Sequence, residues 1–245
     1  MNLPALINPG AFPIWATMGL GFVLGLRHAL DPDHLAAVST LVSEERSLVR
    51  SSLVGASWGL GHTLSLVGFG SVIAIFRLTI TPRWSNWLEF AVGCMLVLLG
   101  LNVLRKLRET SPVHTHIHEH DGVVHSHLHF HLGQPSHAHG HRTLRLGGRP
   151  FVVGIVHGLA GTAAVTLMVV AAIPSLVVTL AYLVIFGLGT IGGMVAMSVL
   201  MSLPLALAAG RFVRLERFVR LAAGLASLGF GVFLAWDVRA IQSLF

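Results

Sequence analysis

Two histidines and two aspartates fall in one short stretch, Arg27-His28-Ala29-Leu30-Asp31-Pro32-Asp33-His34, inside an apolar run from near Ala11 to about Val42. Each can bind a metal ion or a proton, yet each stands where a lipid-spanning helix belongs. A charged side chain at the bilayer centre costs at least ~2.5–3.5 kcal/mol on insertion scales, so a cluster of them marks a site of function. A regular helix spreads His28, Asp31 and His34 over a drifting stripe about 120° wide. One turn of 3₁₀ winding would align them. Asp33 falls off that stripe and reaches the site only where the helix is broken. Pro32 supplies the break, because it has no N–H and its ring clashes with the carbonyl of His28. Unwound backbone at membrane depth is tolerated where it lines a protein cavity. The competing reading is a helix end at the cytoplasmic surface, with Asp31-Pro32-Asp33 as a turn and N-cap for the chain from Leu35 onward. That reading accounts for Pro32 and Asp33 but gives no reason for the histidines or Asp31.

Two further histidines lie in apolar spans. His62 sits in Trp58-Gly59-Leu60-Gly61-His62-Thr63-Leu64-Ser65, whose small residues let helices approach closely in lipid. His157 sits in Val153-Gly154-Ile155-Val156-His157-Gly158. Either could simply hydrogen-bond a neighbouring helix; together with the opening stretch they extend the candidate ligand set to His28, Asp31, Asp33, His34, His62 and His157. Imidazoles with carboxylates and no thiolate suit a borderline divalent transition ion. Mg²⁺ or Ca²⁺ would call for all-oxygen ligands. Soft Cu(I) would call for Cys or Met, and none of the seven Met adjoins the motif. Nickel, cobalt and zinc remain. His28 and His34 bind only when deprotonated, so uptake is expected to fall between about pH 7.5 and 5.5.

Eleven of the fifteen histidines fall between His114 and His141, in HTHIHEH, HSHLHFH and HAHGH runs. They are His114, His116, His118, His120, His125, His127, His129, His131, His137, His139 and His141. An extended segment of period two would bring alternate imidazoles to one side. Composition makes this an accessory metal-binding loop, suited to capture or sense metal but too irregular to define a selective transport site.

The elements that must position these groups are helices in a membrane. The chain of 245 residues is 54% hydrophobic and 11% charged, against roughly 25% charged for soluble domains. Spans long enough to cross a ~30 Å core are expected near 12–42 (partly irregular), 52–76, 87–105, 150–173, 176–208 and 218–236. The glycines of the fifth span and Pro204 predict a break or a strong tilt there. The segment RFVRLERFVR before the sixth reads as an amphipathic helix in the headgroup layer. No signal peptide is expected, since the first residues lack a basic n-region. Lone Cys94 excludes an internal disulfide. The net charge of +6 is scattered over short loops, which fits positive-inside bias better than nucleic-acid binding. Arg46, Arg50, Arg105, Lys106, Arg108, Arg142, Arg145, Arg149, Arg211, Arg214, Arg217 and Arg220 lie on one side of the six-span arrangement, and only Arg77, Arg83 and Arg239 on the other. This predicts an inner-membrane, multi-pass protein with both termini outside and the His-rich loop in the cytoplasm.

The two halves resemble each other. Gly25-Leu26-Arg27-His28 matches Gly154-Ile155-Val156-His157, and Trp58-Gly59-Leu60-Gly61 matches Phe186-Gly187-Leu188-Gly189. Ala91-Val92-Gly93 with Gly100 matches Ala222-Ala223-Gly224 with Gly231. The offsets are 129, 128 and 131 residues. Three spans per half force the second half to enter the membrane from the opposite side. The expected fold is therefore an all-α membrane protein of six transmembrane helices in a 3+3 inverted repeat, a ground plan of secondary transporters with the substrate near the midplane. Residues 1–105 would form the first repeat, 106–149 the His-rich loop and 150–245 the second repeat. His28 and His157 would face each other across the pseudo-two-fold axis, with carboxylates on the first side only.

Arg27-His28-Ala29-Leu30-Asp31-Pro32-Asp33-His34 resembles the H-x4-D-H signature of the nickel/cobalt transporter family, usually R-H-A-x-D-A-D-H. Leu60-Gly61-His62-Thr63 is similar to that family's second signature, and His157-Gly158-Leu159-Ala160-Gly161-Thr162-Ala163 looks more like its six-span urease-accessory branch. The resemblance covers most of the membrane portion. It implies a secondary permease for Ni²⁺, or next Co²⁺, with His28, Asp33 and His34 central and His62 supporting. Pro32 replaces the usual alanine, an aspartate-threonine motif of the second half in eight-span members is absent, and the first helix of those members is missing. Uptake is the expected direction, with efflux of nickel, cobalt or zinc as the alternative.

A membrane-embedded metalloenzyme is the second class of reading, but a hydrolytic site would want a motif such as H-E-x-x-H, which the chain lacks. Haem held between His62 and His157 is a third. The chain has no Gly-rich ATP-binding motif with Lys-Ser/Thr. The expected partners are the divalent ion, the bilayer and a cytoplasmic metallochaperone, with no resident cofactor and no nucleic acid.

Overall fold

The computed structural model describes residues 13–78, 81–109, 113–120, 123–130, 147–160, 173, 175–208 and 212–237. Within them run α1 (Ile14–His28), α2 (Pro32–Leu41), α3 (Leu48–Phe76), α4 (Pro82–Glu109), β1 (Val113–His120), β2 (Val123–Phe130), α5 (Arg149–Ala160), α6 (Leu176–Ala208) and α7 (Val213–Asp237). Four helices, Leu48–Phe76, Arg83–Glu109, Leu176–Leu207 and Val213–Asp237, are long and apolar enough to cross a membrane. Their outer faces leave Leu98, Val177, Leu207, Phe218 and Trp236 exposed, as lipid-facing surfaces require. The first expected span is the pair α1 and α2. Of the fourth, α5 is a shorter apolar helix, and residues 161–172 lie outside the described ones.

Helices meet through glycines. A Cβ on Gly25 of α1 would collide with the Phe186 carbonyl oxygen of α6, and one on Gly154 of α5 with the Trp58 carbonyl oxygen of α3. Gly189 of α6 lies likewise against Phe22 and Leu26 of α1, and Gly61 of α3 against Phe151 and Ile155 of α5. Along these contacts residue numbers rise together, so α1 runs with α6 and α5 with α3. In the pair α4 and α7, Gly93 meets Gly231 and Gly100 meets Gly224, so those helices run antiparallel. In lipid, where no hydrophobic drive separates helix from solvent, such backbone approach supplies the packing energy. The buried core between the helices holds Ala37, Val38, Val54, Trp58, Leu96 and Met194, with Tyr182, Leu183 and Phe186 in a second cluster.

Two expectations are revised. Of the break or strong tilt expected in the fifth span, the break does not occur: the span is one continuous helix, α6, with Pro204 inside its last turns. Its glycines are spent on contact rather than on a break: Gly187 faces Thr63, Gly189 faces Phe22 and Gly193 faces Ala29. Nor is RFVRLERFVR a separate surface helix. From Val213 it forms the first turns of α7, and Glu216 within it is buried. Arg46 donates to both oxygens of that carboxylate, from Nε at 2.6 Å and from Nη2 at 3.1 Å. Beside it, Lys106 Nζ of α4 donates to both oxygens of Glu44, at 2.6 and 2.8 Å. The α2–α3 connection is thereby tied to α4 and α7 at one end of the helices.

Part of the His-rich loop forms an antiparallel hairpin. Its register sets His114 opposite His129, His116 opposite His127 and His118 opposite His125. His131, His137, His139 and His141 lie outside the described residues, as do the two chain ends.

Candidate metal centre

The chain breaks where Pro32 predicts. At the end of α1, Leu30 N–H donates to the Arg27 carbonyl at 2.9 Å and Asp31 N–H to that of His28 at 3.1 Å, two successive bonds of 3₁₀ type. Pro32 then opens α2 at its first position, where a missing N–H costs nothing. Asp31 occupies the N-cap position without capping α2 through its side chain. Its carboxylate turns back instead, and His28 Nδ1–H donates to Asp31 Oδ2 at 2.8 Å. The competing sequence reading thus has the helix end and the N-cap Asp31 right, but α2 starts at Pro32 rather than Leu35 and takes in Asp33. The side chains serve the cluster rather than the helix end.

Five of the six expected ligands are buried or nearly so, and they converge. His28, His34 and His62 each offer one ligand atom within 4.8 Å of the others, and Asp33, His34 and His157 do the same. His34, His62 and His157 are fully enclosed. Asp33, off the stripe of a regular helix, is brought in by the break. It accepts from the His34 backbone N–H at 3.0 Å, from His34 Nδ1–H at 3.0 Å and from His157 Nε2–H at 2.9 Å. Asp31 meets the cluster through His28, and its side chain is 34% exposed, which fits a supporting carboxylate better than a direct ligand.

Several ring nitrogens are placed to take a metal, or the proton that a metal displaces. His28 commits Nδ1 to Asp31, leaving Nε2, which lies 3.3 Å from His62 Nε2. A neutral imidazole has one N–H and one lone pair, so in this arrangement one of the two Nε2 atoms carries a proton that a cation would displace. His34 Nε2, His62 Nδ1 and His157 Nδ1 are buried with no hydrogen-bond partner. Leaving polar atoms so is costly unless something fills the site. His157 enters by stacking on His34, with ring centroids 4.2 Å apart, and through Asp33.

Sequence reasoning missed the walls. Trp58 is fully buried, with ring centroids 5.6 Å from His34 and 6.0 Å from His157. Phe186 lies 5.5 Å from His28 by the same measure. The two residues are a repeat-related pair in sequence, and only Trp58 has a histidine, His62, near it in its own span, so the available signal covered one wall and not the other. They exclude water and lower the dielectric around the ligands, which strengthens ion binding and raises the cost of an empty site.

A family model described as high-affinity nickel-transport protein matches residues 14–219. A urease accessory protein, UreH, of Bacillus sp. (strain TB-90) is 37% identical over 231 residues, covering 92% of this chain and 93% of that protein. Chloroplast protein FOR GROWTH AND FERTILITY 1 of Arabidopsis thaliana is 30% identical over 183 residues, 72% of this chain and 47% of the relative. Its counterpart FOR GROWTH AND FERTILITY 2 is 29% identical over 174 residues. No solved structure matches the chain.

Proposed function

This chain belongs to the high-affinity nickel-transport protein family, and on that premise we propose that it is a secondary permease taking up Ni²⁺, with Co²⁺ next in preference, across the cytoplasmic membrane. Its family is one of transporters rather than enzymes. The observation that carries the reading is the enclosed group of four imidazoles and Asp33 at the break between α1 and α2. His28, His34, His62, His157 and Asp33 would hold the ion and Asp31 would orient His28. Imidazole suits nickel and cobalt, and one carboxylate offsets part of the dication's charge in low dielectric.

The six-span, 3+3 arrangement is supported by the reciprocity of the glycine contacts. Gly25 against Phe186 corresponds to Gly154 against Trp58, and Gly189 against Phe22 to Gly61 against Phe151. Every pair exchanges under the offset between halves. A site at the junction of two such halves suits alternating access. The histidines of the cytoplasmic hairpin would collect metal at the inner face, as the pairing His116 with His127 suggests, for a metallochaperone to receive. Efflux remains the second reading, because a His-rich loop on the cytoplasmic side could equally feed an exporter.

The test is accumulation of Ni²⁺, Co²⁺ and Zn²⁺ in cells producing the intact chain or His28→Ala at matched expression. The proposal expects nickel accumulation that depends on His28. Equal accumulation by both would overturn it, and depletion relative to cells without the protein would reverse its direction.

A further inference from the structure

The two ligand groups are not one site described twice. They share His34 and nothing else: His28 and His62 lie on one side, Asp33 and His157 on the other. His34 stacks on His157 at 4.2 Å and meets His28 and His62 edge-on, at 4.7 and 5.1 Å between ring centroids. Its Nδ1 faces Asp33, while its buried Nε2 has no partner. The two nitrogens of an imidazole point away from each other, so the ring can present one to each group.

Resting on the transport reading above, we infer that the centre holds the ion at two alternative positions in series, with His34 as the ligand common to both. The first position is made by the imidazoles of His28, His34 and His62, all neutral. The second is made by Asp33, His34 and His157, and includes a carboxylate. They cannot be filled together, because a neutral imidazole has a single lone pair on nitrogen. With the ion on Nε2, the ring keeps its proton on Nδ1 and donates it to Asp33. With the ion on Nδ1, the same proton sits on Nε2, and Asp33 is released to ligate. His157 keeps a matching option, since its unpartnered Nδ1 can carry the proton when Nε2 binds metal. Each ring holds one proton before and after the transfer, so the passage needs no net proton uptake or release. Donors of both groups line the path around His34 in a low-dielectric interior, where a bare ion would be prohibitively desolvated.

This predicts a pattern of binding that a single composite site would not give. The eleven loop histidines would mask it, so the parent for the test is the full-length chain with those residues replaced by Gln, purified in lipid nanodiscs and titrated with Co²⁺ alone. The d–d absorption reports the ligand set. The parent should bind one equivalent. His62→Ala and His157→Ala should each still bind one equivalent with spectra that differ from one another, and the variant that keeps the stronger position should bind within about twofold of the parent. His62→Gln and His157→Gln serve where an alanine variant does not fold, and His34→Gln should abolish binding. Weakening of both single variants by about tenfold or more would overturn the inference in favour of one five-ligand site, loss of all binding in either would overturn it as well, and two equivalents in the parent would overturn the exclusion argued from His34. A parent that binds no Co²⁺ would instead remove the transport reading, and this inference with it.

Discussion

The two halves of this chain pack alike and ligate differently. Gly25 seats α1 on α6 at Phe186, and Gly154 seats α5 on α3 at Trp58, each bringing a histidine toward the middle of the bundle. Past that point they part. The first half continues from His28 through Asp31, Pro32 and Asp33 to His34 and on into a second short helix, while among the described residues the second half contributes His157 and no carboxylate to the cluster. Helix contact requires only small residues at the right spacing, whereas a metal requires a few donors at one point. A scaffold with matching seams can therefore concentrate its chemistry on one side.

The comparison can be broken at either level. The largest effect is expected from His34, the ligand common to both groups. Altering even an outer-shell residue of a metal site costs 10–100-fold in affinity, so His34→Ala should lower nickel uptake by more than ~100-fold at unchanged expression. Asp33→Asn should follow, with a roughly 10–100-fold weaker affinity for nickel measured by calorimetry, and Asp31→Asn should cost less than Asp33→Asn because Asp31 acts through His28. An inverse order would shift the ligating role from Asp33 to Asp31.

The seams come next. Gly25→Ala and Gly154→Ala each push a methyl into a carbonyl oxygen of the facing helix. Each should destabilise the protein by about 1–3 kcal/mol in thermal unfolding in detergent. Similar losses would sharpen the equivalence of the halves; a large loss at one glycine alone would break it. The smallest effect is expected at the rim, where the side chains of Lys106 and Glu44 are about a third exposed. Lys106→Ala should cost about 0.2–1 kcal/mol, reduced further by salt.

Much of this was legible in the sequence, and for physical reasons. The fifth span, expected over 176–208, has the bounds of α6, because no charged residue interrupts it. The break at Pro32 was legible because a missing N–H is a local fact. The continuity of α6 through its glycines was not, because what each glycine faces is set by a helix distant in sequence. The start of α7 was misread for the same reason: Glu216 looks solvated until Arg46, 170 residues away in sequence, is brought against it. Within the site, the ligand residue types were legible, while the sharing of His34 and the aromatic walls of Trp58 and Phe186 emerge only from folded geometry.

The central claim is that the buried histidines carry nickel across the bilayer. Purified chain in proteoliposomes loaded with unlabelled Ni²⁺ should exchange it for external radioactive nickel, and His34→Ala should reduce that counterflow to the level of protein-free vesicles. Nickel bound tightly without any entry, or entry unchanged in His34→Ala, would contradict the account.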